Sequence, residues 1–174
     1  MDDIDIPTGF CNGCGICCQG ELNGLIERPF LTPHDIENIV QETGLQESDF
    51  VDNLSFPESN IKVLRTKQIG SGCMFFDDET RRCKIYYSRP LDCRLFPLDM
   101  AKEDDKYYLI LYTDVCPVDV DLVSQSIKPA MDKILPLLKG YIREYANLEN
   151  GIEKSKRWKK VVEIDENWLF GKLS

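Results

Sequence analysis

Histidine is almost absent: His34 is the single imidazole in a chain of 174 residues. That scarcity excludes histidine-rich metal sites and leaves a cysteine–histidine catalytic pair only one candidate, placed near the start of an exposed-looking helix. Long apolar runs are missing as well, since no stretch approaches the roughly 18 residues needed to cross a bilayer. The opening Met1-Asp2-Asp3-Ile4-Asp5 is acidic where a signal peptide is basic. A cytoplasmic protein with no membrane partner is expected. Positive charge is also short, with 21 Lys and Arg against 30 Asp and Glu, a net charge of -9 and a pI near 4.7. This is the reverse of a nucleic-acid-binding footprint, so no nucleic acid partner is expected. Neither a Walker loop nor a Gly-x-Gly-x-x-Gly turn is present, and no repeat or low-complexity tract appears.

What the chain has is cysteine, eight in all. In a reducing compartment an even count of thiols reads as metal thiolates before disulfides. Four of them fall within Cys11-Asn12-Gly13-Cys14-Gly15-Ile16-Cys17-Cys18, a segment with neither helical nor strand period, whose glycines let a loop turn tightly.

Beyond that loop, Thr32-Pro33-His34-Asp35 carries a cap residue, a proline at the first helical position and an acid in the first turn. It predicts a helix from Pro33 to Thr43, closed by Gly44. A second cap signal at Ser48, ahead of Phe50, Val51 and Leu54, predicts one or two more helical turns before Phe56-Pro57. The stretches 61–69 and 107–113 are strand candidates, rich in β-branched or aromatic residues. Between them an acidic turn separates Cys73 from Cys83, predicting a hairpin with a thiol near each end. Ser88 caps a short helix that holds Cys93 and stops at Pro97. From Val123 to Leu148 apolar residues recur at three-and-four spacing, predicting an amphipathic helix interrupted at Pro129 and Pro136. The basic run from Lys154 to Lys160 reads as a solvated face, with docking of an acidic protein or a nucleic acid strand as its other use.

The spacing Cys11-x2-Cys14-x2-Cys17 fits a loop wrapped around an iron–sulfur cluster, with a fourth thiolate from elsewhere; Cys116-Pro117 is one source of it. Cys116 also reads as a small buried core residue. Zinc competes, because four thiolates make a closed tetrahedral site. Against a zinc ribbon, Cys73, Cys83, Cys93 and Cys116 contain no second closely spaced pair, so tertiary structure must deliver them. Adjacent Cys17 and Cys18, if extended, point to opposite faces and do not readily share one ion.

These residues carry a resemblance. Cys11-x2-Cys14-Gly15-x-Cys17-Cys18 is followed by Cys73-x-Phe75-x7-Cys83-x-Ile85-Tyr86-x2-Arg89-Pro90-x2-Cys93-Arg94-x-Phe96-Pro97. The pattern resembles the CxxCxxCC family, the zinc- or iron-chelating domain of YkgJ-type cysteine cluster proteins, from about Cys11 to Cys116. The resemblance implies metal chelation, with Cys11, Cys14, Cys17, Cys18, Cys73, Cys83, Cys93 and Cys116 as ligand candidates. Arg89 and Arg94 match its arginines, and buried arginines can balance thiolate charge through hydrogen bonds. A branch of the family is related to flagellin lysine N-methylases, whose similar cluster sits in a longer chain, which leaves a protein-modifying enzyme as a further expectation.

The expected fold is therefore α+β: short strands and helices around a cysteine-bound metal centre. A metal-binding domain spans residues 1–120, and a helical segment, 121–174, packs on it. The expected cofactor is an iron–sulfur cluster, with zinc as the alternative, and the expected partner is a protein.

Overall fold

A capping box opens the first helix, α1 (Pro33–Thr43). Asp35 N–H donates to Thr32 Oγ1 at 3.1 Å, while Asp35 Oδ2 accepts Thr32 N–H at 2.9 Å and the Thr32 hydroxyl at 2.7 Å. Gly44, left-handed at φ 69°, closes the helix by donating to Val40 O at 2.9 Å. Both ends stand where the cap residues predict them. The computed structural model describes residues 13–19, 28–56, 59–67, 72–103, 106–113, 116, 119–127, 129 and 158–165. The chain divides into one unit of Cys11–Arg94 and another of Met1–Phe10 with Leu95–Ser174.

In the Cys11–Arg94 unit, the single turn α2 (Glu47–Phe50) leads directly into β1 (Val51–Phe56), which pairs antiparallel with β2 (Ser59–Leu64) from Val51 opposite Leu64 to Phe56 opposite Ser59. The helical turns expected after Ser48 thus stop at Phe50. Pairing with β2 claims residues 51–56, a long-range contact that local periodicity does not register. Residues 29–31 run beside β2, with Leu64 N–H donating to Pro29 O at 2.8 Å and Leu31 N–H to Lys62 O at 3.0 Å. The expected hairpin is present as β3 (Phe76–Asp77) and β4 (Arg82–Cys83). Asp77 Oδ1 accepts the N–H groups of Glu79 and Thr80 in its turn, at 3.0 and 2.9 Å. The core of the unit gathers Leu31, Ile36, Ile39, Phe50, Val51, Leu64, Phe75 and Ile85. Cys73 and Cys83 pack against it, so two thiols are fixed by the hydrophobic core itself. The short helix α3 (Leu91–Leu95) carries Cys93.

In the other unit β5 (Leu98–Glu103), β6 (Lys106–Tyr112) and β7 (Trp158–Ile164) form an antiparallel sheet with β6 in the middle. Its central position explains why Tyr107 to Tyr112 are all buried. The helix α4 (Val120–Ile127) buries Val123 and Ile127, and Lys159 of β7 bonds to Asp121 at 3.0 Å. The architecture is α+β, helices with small antiparallel sheets, as expected. The tail differs from its helical expectation: only α4 follows residue 120 as a described helix, and Val161, Val162 and Ile164 form a strand, where β-branched side chains pack well. Within the unit that contains Leu95–Ser174, β7 returns to pair with β6. The apolar stripe beyond Ile127 lies outside the described residues, apart from Pro129.

Candidate metal centre

The cysteine loop is positioned by two glycines. Gly15, at φ 71°, lies so close to the Phe76 ring that a Cβ would stand 2.6 Å from Cε2. Gly72, at φ 93°, lets the backbone at Cys73 pass close to the loop, where a Cβ would meet Cys18 O at 2.7 Å. That approach permits Cys73 N–H to donate to Cys18 O at 2.8 Å. The loop itself turns through residues 16–19, with Cys18 N–H on Gly15 O at 3.0 Å and the Gln19 side-chain amide on the same oxygen at 2.9 Å.

This turn brings Cys17 Sγ and Cys18 Sγ to 4.0 Å, correcting the expectation that neighbouring cysteines diverge. The backbone is not extended there, so alternation does not apply. The separation is close to the edge of a sulfur tetrahedron, about 3.8 Å for thiolates about 2.3 Å from one ion.

The helix that carries Cys93 is held by two carboxylate bonds. Asp35 Oδ1 accepts Leu91 N–H at 2.9 Å, and Asp92 Oδ2 accepts Phe30 N–H at 3.0 Å. The first ties α3 to the start of α1; the second ties it to the strand-like segment beside β2.

Electrostatics show which thiols share surroundings. Cys17 lies below the ordinary thiol range, because of its hydrogen bond with Cys18 and the nearby Arg89 guanidinium, against the effect of burial. Cys18 is raised by the same hydrogen bond, by burial, and by the charges of Cys17, Cys93 and Cys73, which all disfavour its thiolate. Burial pushes Cys73 up to about 11, with Cys83 and Cys17 adding to it. Burial holds Cys93 well up, reinforced by Asp92, Cys73, Cys17 and Cys83. Cys17, Cys18, Cys73, Cys83 and Cys93 are therefore linked through their charges, from the loop, the β3–β4 hairpin and α3. Ionising them together is disfavoured, and a soft thiolate-binding metal supplies the cation that offsets it.

The donor set thus fits zinc or iron. Among the described residues, however, no three His, Cys, Asp or Glu side chains already stand in metal-holding geometry. The seven described cysteines are thiols, half-buried and in no disulfide. Cys14 lies in the same loop. Cys116 belongs to the other unit, and Cys11 lies outside the described residues. Arg89 is buried, its cation 3.9 Å above the Tyr86 ring centre, whereas Arg94 is half-buried. His34 is exposed on α1.

Sequence reasoning missed the parts that hold the thiols in place. Asp35 was legible as a cap, but nothing local announces that its second oxygen reaches Leu91. The contacts of Gly15 and Gly72 likewise depend on segments far away in sequence.

Comparison with known proteins agrees with this chemistry. Residues 10–117 match the sequence profile of the CxxCxxCC family, described as "Putative zinc- or iron-chelating domain". Over 100 residues the chain is 31% identical to a Methanocaldococcus jannaschii protein described as "Uncharacterized protein MJ0661"; the match covers 57% of this chain and 50% of that one. The chain thus spans about half the length of this curated relative. No solved structure matches it.

Proposed function

Since the chain belongs to the CxxCxxCC family, we propose that its metal is held by thiolates of the Cys11–Arg94 unit as an iron–sulfur centre, serving electron transfer or a partner enzyme. The observation that carries this reading is the convergence of five thiols, Cys17, Cys18, Cys73, Cys83 and Cys93, within charge range of one another. One tetrahedral ion takes four. A bound cluster would exchange electrons at a potential set by the charges and hydrogen bonds around its sulfurs. The chain's own part is to deliver thiolates from the loop, the β3–β4 hairpin and α3, and to keep them half-buried. Exposed Tyr87, six residues before Cys93, offers a contact point for a protein partner. A reducing compartment, the cytoplasm, keeps such thiols available. No helix among the described residues is long and apolar enough to cross a membrane.

Structural zinc is the second reading, favoured by the 4.0 Å separation of the Cys17 and Cys18 sulfurs, which suits two ligands on one ion. Iron and acid-labile sulfide analysis of protein purified without oxygen tests the choice, with spectra before and after dithionite. The iron–sulfur reading predicts iron with matching sulfide and a bleachable brown absorbance. A colourless protein with stoichiometric zinc overturns it in favour of a binding module.

A further inference from the structure

Arg89 is only 7% exposed, yet its guanidinium uses little of its bonding capacity. It stacks on the Tyr86 ring, and Nη1 donates to Tyr86 O at 2.6 Å. Nε and Nη2 are buried and, among the described residues, have no acceptor. A buried guanidinium cannot shed its proton, so leaving two of its donors unmet is expensive unless an anion meets them. Elsewhere in the same unit Arg28 and Arg65 are answered by carboxylate, both pairing with Asp52. One group near Arg89 that can carry negative charge is the Cys17 thiol, which feels both the Arg89 cation and the Asp92 carboxylate. Four thiolates on a divalent ion leave a net charge of about -2, which is what an otherwise unanswered cation would meet.

We infer that Arg89 is the counter-charge of the thiolate centre, a positioning residue whose Nε and Nη2 donate N–H···S bonds to metal-bound sulfur while Tyr86 holds the guanidinium plane in place. The inference rests on the thiolate centre proposed above. The two arginines that the sequence pattern pairs differ in degree: Arg89 is buried, stacked on Tyr86 and has Nε and Nη2 unmet, whereas Arg94 is half-buried with Nε alone buried and unmet among the described residues.

The test is cobalt(II) loading of the full chain, comparing wild type with Arg89→Met and Arg89→Lys. Hydrogen bonds to sulfur lower the energy of its lone pairs, so their loss moves the sulfur-to-cobalt charge-transfer band to lower energy. Arg89→Met is expected to shift the band and to surrender cobalt to a competing chelator about 10- to 100-fold more readily. Arg89→Lys keeps the charge without the planar fork and is expected between the two. Unchanged band and retention in Arg89→Met overturn the inference while leaving the thiolate centre standing. Should Arg89→Met not fold, a wild-type band in Arg89→Lys overturns it equally. A wild type with no thiolate band overturns the inference together with the centre on which it rests.

Discussion

The Asp35 carboxylate joins two helices 56 residues apart in sequence: its Oδ2 closes the cap on α1, and its Oδ1 accepts the backbone N–H of Leu91 at the start of α3. Asp35 is 2% exposed, so neither bond is replaced by water when the side chain is removed. Asp35→Ala is expected to destabilise the protein by about 3 kcal/mol, from a lost cap and an orphaned buried N–H. It should also lower metal content, since α3 carries Cys93. Denaturant unfolding with parallel metal analysis checks both; normal metal content in a folded variant would show that Cys93 does not depend on this tie.

Gly72 and Gly44 both have positive φ, but only Gly72 faces an obstacle. A Cβ at Gly44 meets nothing within 4 Å, whereas one at Gly72 would stand 2.7 Å from Cys18 O. Gly44→Ala is expected to lose about 1 kcal/mol, the ordinary left-handed penalty. Gly72→Ala should lose clearly more and weaken metal retention, because backbone must move where Cys73 bonds to Cys18. Equal effects in a thermal-unfolding comparison would mean that the loop does not rest against this glycine.

Asp77 is held below the usual carboxylate range by the N–H groups of Thr80 and Glu79 in the β3–β4 turn and by the charge of Lys84. A depressed folded pKa contributes stability that is present above the unfolded value and is lost as pH falls through the folded one. Asp77→Asn is therefore expected to be less stable than wild type at neutral pH, with the gap closing in acid. Unfolding curves across that window decide it, and a gap that widens in acid contradicts the assignment.

His34→Ala should leave metal content unchanged and shift stability by no more than about 0.5 kcal/mol, since the imidazole is exposed on α1. Metal lost from this variant, measured by elemental analysis, would make the single histidine a ligand.

The sequence displays what local chemistry decides. The ends of α1 follow from Thr32, Asp35 and Gly44, and the hairpin between Cys73 and Cys83 follows from its acidic turn. It conceals what distant pairing decides. Phe50, Val51 and Leu54 fit a helical spacing, yet β2 draws residues 51–56 into a strand; β7 similarly forms only because β6 offers an edge. Of the candidate site, the residue types were readable, but their convergence was not. Adjacent Cys17 and Cys18 looked divergent until the turn through residues 16–19 set their sulfurs 4.0 Å apart. Arg89 and Arg94 looked equivalent until burial separated them.

Whether thiols from three segments of the Cys11–Arg94 unit hold one metal centre can be read by X-ray absorption at the metal edge of the purified full chain. A first shell made only of sulfur, at about 2.3 Å for a zinc ion, is expected, together with loss of the metal in Cys73→Ser. A first shell of nitrogen or oxygen, or an unchanged sulfur shell in that variant, would contradict such a centre.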